Sequence, residues 1–139
     1  MSSPVKGDTA SSNEPSRRAL ILVVERNPAV QRLEQAGYSV EFASNGLSAL
    51  ERARELCPRI VVTEILVPRL DGLSLCRALK SDPKTQSIIV LVFSHLHAED
   101  RALEAGADAF MIKPIEEDHL IDIVSKLLEI SGEGAAGSL

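Results

Sequence analysis

Aromatic residues are scarce in this 139-residue chain, with no tryptophan, one tyrosine and three phenylalanines. Single-stranded bases would find no row of rings to stack on. Positive charge is short as well: 15 Lys and Arg against 20 Asp and Glu leave a net charge of −5. Binding a phosphate backbone needs a basic face that releases counterions, so nucleic acid is excluded as the main partner, and the Arg17-Arg18 pair alone does not restore it. Cysteine is limited to Cys57 and Cys76. Each lies inside or at the end of a segment with helical periodicity, which suits buried thiols in a reducing compartment better than a disulfide framework. Long apolar runs are missing too. Residues 19–24 and 88–93 are the longest, far below the roughly 20 needed to span a bilayer, so no membrane-crossing helix is expected. The opening MSSPVKGDTASSNEPSRR holds no apolar stretch for a secretory signal. Residues 1–18 therefore read as a disordered tail, and the cytoplasm as the expected compartment. Catalytic motifs are absent in the same way: ERNPAV follows the first strand where a glycine-rich phosphate loop would stand, and no Gly-x-Ser-x-Gly elbow surrounds Ser94. A non-enzyme is the expectation.

What the chain does have is alternation. Five short apolar segments, at about 19–25, 39–43, 60–65, 88–93 and 109–112, are separated by stretches of helical period, the mark of a parallel sheet covered on both faces. The second alternates polar and apolar residues as an edge strand does; the first, third and fourth are continuously apolar, as central strands are. Leu47, Leu50, Ala53 and Cys57 recur at helical spacing, as do Leu73, Cys76 and Leu79. Pro58 and Asp82-Pro83 close those helices. A last stripe of Leu120, Ile123, Val124, Leu127 and Leu128 follows Pro114 and the acidic residues Glu116, Glu117 and Asp118, which suit a helix N-terminus. Right-handed crossovers then favour a doubly wound α/β domain over 19–130 with the flavodoxin-like strand order 2-1-3-4-5, and a flexible tail over 131–139.

Open α/β sheets bind ligands beyond the carboxyl ends of their strands. Those ends carry Glu25-Arg26, Glu64, Ser94 and Lys113-Pro114, a polar group on each strand bordering the crevice. His95 and His97 form a His-x-His pair after the fourth strand, but no Cys or third His stands at ligand spacing, so a loop is the better reading than a metal site.

The segments ILVVER, IVVTEILVPRLDG, VLVFS and EAGADAFMIKP resemble the receiver domain of bacterial response regulators, from Ala19 to Glu129. The resemblance implies roles. Glu64 matches the phosphorylated aspartate, Ser94 the switch hydroxyl, Phe110 the switch aromatic, and Lys113 the lysine that contacts the phosphoryl group; Lys113-Pro114 is expected cis.

The departures carry as much information. Arg26 replaces one carboxylate of the family's Mg²⁺ trio, and Glu64 is longer than aspartate by one methylene, about 1.5 Å of carbon–carbon bond. Such a displacement of the attacking oxygen can cost about 100-fold in transfer. Glu25 and Glu64 offset Arg26 and Lys113, so neither charge nor ligand count favours a metal, and no cofactor is expected. The first and fourth helices are shorter than the resemblance implies. The expectation is a stand-alone receiver-like module that binds a kinase, regulator or other receiver through the fourth helix, fifth strand and fifth helix, without phosphorylation; a homodimer is compatible with this. Glu64 either locks the pocket with Arg26 or mimics the phosphorylated state. A receiver that still switches through phosphoryl transfer at Glu64 or Ser94 is the alternative.

Overall fold

The computed structural model describes residues 19–25 and 27–137, with side chains through residue 130. Strands β1 (Leu20–Val24), β2 (Ser39–Ala43), β3 (Ile60–Glu64), β4 (Ile89–Ser94) and β5 (Ala109–Ile112) alternate with helices α1 (Pro28–Gln35), α2 (Gly46–Leu56), α3 (Gly72–Ser81), α4 (Glu99–Glu104) and α5 (Glu117–Gly137). All pairings are parallel and the order is β2-β1-β3-β4-β5. That is the expected architecture, including the cis Lys113-Pro114 bond. Among the described residues no helix is long and apolar enough to cross a membrane.

The continuous apolar strands make sense because each buries both faces. Leu22, Val24, Val61, Val90 and Val92 pack with α2, α3 and α4 on one side of the sheet. Ile21, Val23, Ile60, Val62, Leu91 and Phe93 pack with α1 and α5 on the other. Each fully buried aliphatic side chain contributes about 1.5–3 kcal/mol over its exposed state, so the three central strands are the fold's main anchor. Side-chain caps set the helix starts. Asn27 accepts from the Ala29 N–H, Asn45 from Ser48 and Asp71 from Ser74, each relieving a backbone donor that lacks a partner within the helix.

Three expectations need correction. In α2 the buried stripe is Ala49 and Ala53, both fully buried, while Leu47 is exposed. Small residues let α2 lie close to its neighbours: a Cβ on Gly46 would stand 1.8 Å from the Leu70 carbonyl oxygen. Cys57 is an exposed free thiol rather than a buried one: it is the left-handed C-cap of α2, where the helical stripe has ended. Cys76 is buried as expected, and burial pushes its thiol up to about 11. Finally, α5 runs to Gly137, past the end expected at Ile130. Its glycines weaken a helix but no proline forbids one. The tail expected over 1–18 lies outside the described residues.

Candidate functional site

Parallel strands in this register bring four strand ends to one rim of the sheet. Glu64 is the last residue of β3, Ser94 the last of β4, Glu25 follows β1 and Lys113 follows β5. Glu25 leaves β1 at φ 92°. Positive φ costs a residue bearing a side chain of order 1–3 kcal/mol, so the surrounding structure has to hold it there. The turn delivers its carboxylate to Lys113, whose Nζ donates to Glu25 Oε1 at 3.1 Å.

Lys113 is the hub. Its ammonium lies 2.7 Å from Glu64 Oε1 as well as 3.1 Å from Glu25, and 5.1 Å from the centre of the Phe93 ring. The other oxygen of Glu64 accepts the Leu66 N–H at 3.2 Å. Glu64 is only 4 % exposed. Burial alone would push its carboxyl up, but the bond from Lys113, the Leu66 N–H, the Ser94 hydroxyl and the lysine's charge together bring it below the ordinary carboxylate value. Burial likewise opposes the charge on Lys113, and its bonds to Glu64 and then Glu25 outweigh that, raising the ammonium above the usual lysine value. Both groups are therefore charged at neutral pH.

Ser94 is fully buried. Its hydroxyl oxygen accepts the Leu96 N–H at 3.2 Å, which ties down the start of the β4–α4 loop. Phe110 is half-buried on the edge strand β5, as expected, and lines a cavity of about 600 Å³ with His97, Arg101 and Ile112. His95 and His97 diverge to different cavities, His95 toward Lys113 and His97 toward α4. Arg26 lies outside the described residues, and with it the ion pair expected between Arg26 and Glu64.

The donor set can be judged against a divalent cation. Hard cations take several oxygens, and Mg²⁺ demands near-octahedral geometry. Glu25 and Glu64 both direct an oxygen at an ammonium, so a metal would have to displace Lys113 from each. Among the described residues no group of three His, Cys, Asp or Glu side chains is placed to hold a metal. These carboxylates fit a lysine better than a metal.

Sequence reasoning missed the backbone half of the site. The Leu66 and Leu96 N–H groups hold Glu64 and Ser94, and neither residue carries chemistry in its side chain. Asp71 also went unremarked, though Asp-Gly before an apolar helical period is a readable capping signal.

A family model described as response regulator receiver domain matches residues 21–125. Among curated proteins, the chain is 39 % identical over 114 residues to the response regulator MprA of Mycobacterium sp. (strain KMS), covering 78 % of this chain and 50 % of that protein. It is 30 % identical over 116 residues to the DNA-binding dual master transcriptional regulator RpaA of Synechocystis sp., covering 78 % and 48 %. The chain thus spans about half the length of these relatives. Among solved structures, the signal receiver domain of a signal transduction histidine kinase from Syntrophus aciditrophicus superposes with a TM-score of 0.72 at 34 % identity, over 80 % of this chain and 90 % of that one. A response regulator structure from Chloroflexus aurantiacus gives 0.74 at 28 % identity, over 81 % and 98 %.

Proposed function

Because the chain belongs to the response regulator receiver domain family of two-component signalling, we propose that it serves there as a phosphorylation-independent module that binds another signalling protein. The observation that carries this reading is the buried contact between Glu64 and Lys113 at 2.7 Å. Glu64 stands where the family resemblance puts the phosphoacceptor aspartate. Its two oxygens are engaged by Lys113 and the Leu66 N–H. An attacking oxygen has to lie in line with the incoming phosphorus, and freeing one here means breaking a desolvated ion pair first.

The described partners of Glu64 support the phosphoryl-mimic reading. Lys113 and Ser94 are the groups that the resemblance assigns to the phosphoryl; the longer glutamate pairs with Lys113, and the nearby Ser94 hydroxyl helps hold its carboxyl below the ordinary value. The partner surface in this reading is α4–β5–α5, where Ile112 is exposed and Phe110 half-buried beside the 600 Å³ cavity. A kinase, a regulator or another receiver fits such a face.

Incubation with acetyl phosphate and Mg²⁺ followed by intact-mass measurement tests the proposal. No added phosphoryl is expected; a stable one on Glu64 or Ser94 would sink it. For the mimic, Glu64→Ala should lose partner binding, and unchanged binding would make Glu64 inert.

A further inference from the structure

A second surface adjoins the pocket on the opposite side of α4. The loops leaving β3 and β4 and the starts of α3 and α4 enclose a groove of about 350 Å³. Its floor is apolar, with Leu73 and Ala98 both buried. Its walls include Leu66, 69 % exposed, and Leu96, 46 % exposed. Leaving two large aliphatic side chains in water at adjacent loops is costly unless something covers them. Neither leucine is loose. Each sits two residues past a pocket side chain that accepts its N–H, Leu66 on Glu64 and Leu96 on Ser94.

Charge at the groove has one sign unanswered. Arg77 and Arg101 line it, and among the described residues neither is in a salt bridge, as is also the case for Arg59, Arg69, Lys84 and Lys126 elsewhere on the surface. Asp71 is the acidic residue of the lining, and it is committed to α3: its carboxylate takes the Ser74 N–H and hydroxyl at 2.9 Å each. Its charge reaches Arg77 without an ion contact. The free edges of the sheet belong to β2 and β5, so no strand edge is open here for an extended peptide to join.

We propose that this groove docks an acidic amphipathic helix of a partner protein, its apolar side chains covering Leu66 and Leu96 and its carboxylates meeting Arg77 and Arg101. Charge complementarity selects this occupant. A second copy would bring the same two arginines across a two-fold axis, and nucleic acid would meet a chain of net charge −5. The site is centred away from α4–β5–α5, and the start of α4, through Ala98 and Arg101, borders both cavities.

Fluorescence anisotropy of the full chain with a fluorescein-labelled helical peptide of about four turns tests it, with leucines at i and i+4 flanked by glutamates. Saturable binding is expected, weakened about tenfold or more by Leu66→Glu, by Arg77→Glu, and by glutamine in place of the peptide's glutamates. Ile112→Lys, on the other surface, should leave it unchanged. All three side chains are exposed, and thermal melting by circular dichroism checks that each variant is folded. The proposal is overturned by absent binding, by binding that Leu66→Glu and Arg77→Glu leave intact, or by binding lost with Ile112→Lys instead. A dimer that Leu66→Glu dissociates, or an oligonucleotide that outcompetes the peptide, would assign the groove to those occupants and overturn it too.

Discussion

Lys113→Met is expected to destabilise this protein far more than Glu64→Gln, although both remove the same ion pair. At 2.7 Å two unit charges attract by about 6 kcal/mol at an effective dielectric of about 20. Desolvation of both groups cancels much of that, so the pair as a whole is worth little net. Removing one partner is a different matter. Lys113→Met leaves the Glu64 carboxylate 4 % exposed with no cation beside it among the described residues, a situation that costs about 3–5 kcal/mol. Glu64→Gln instead leaves Lys113 paired with Glu25 at 3.1 Å, and the amide oxygen still accepts a bond, so the loss should be about 1–2 kcal/mol. Glu25, more than a third exposed, is screened by water and cannot hold the lysine as strongly as Glu64 does. The double variant should be more stable than Lys113→Met alone, because the stranded charge is gone. Urea unfolding of parent, single and double variants reads all of these, provided the slopes agree. If Lys113→Met costs no more than Glu64→Gln, or the two effects add to within about 0.5 kcal/mol, the buried pair does not organise the pocket.

The same pair fixes a pH dependence. Glu64 is lowered in the fold, so its contribution is present above the ordinary carboxylate value and is lost as pH falls through the folded value; Lys113 is raised, so its contribution is present below the ordinary lysine value and is lost as pH rises through the folded one. Urea midpoints should be level between those limits, and Glu64→Gln should flatten the acid limb. Gly72→Ala should cost about 3 kcal/mol or more in thermal or urea unfolding, since the new Cβ would stand 2.2 Å from the Glu64 carbonyl oxygen, closer than any packing allows. Asp71→Ala should cost about 1 kcal/mol, because it removes the cap on the Ser74 N–H, and Asp71→Asn should recover most of that. Equal loss in the two Asp71 variants would argue against the cap.

Strands β2 and β5 were legible to the residue, and the others to within one residue at each end, because alternation and apolar runs are local signals that burial on one or both faces enforces. Crossover handedness left few strand orders, of which 2-1-3-4-5 was the natural choice, and the parallel direction of the strands placed Glu25, Glu64, Ser94 and Lys113 on one rim. The inner face of α2 was misread because periodicity marks large residues, while a helix packed tightly against its neighbours selects alanine and glycine.

The amino-acid sequence by itself determined the parallel sheet, its order and which side chains meet at its carboxyl end, since these depend on patterns a few residues long and on chain handedness. Which charges pair was decided only by the tertiary structure. A tenth of a nanometre in the turn at Glu25 or the loop after β3 settles whether Lys113 reaches one carboxylate or two, and whether the Leu66 N–H meets Glu64. Coulomb and hydrogen-bond energies are steep over that distance and carry no periodic trace in the chain.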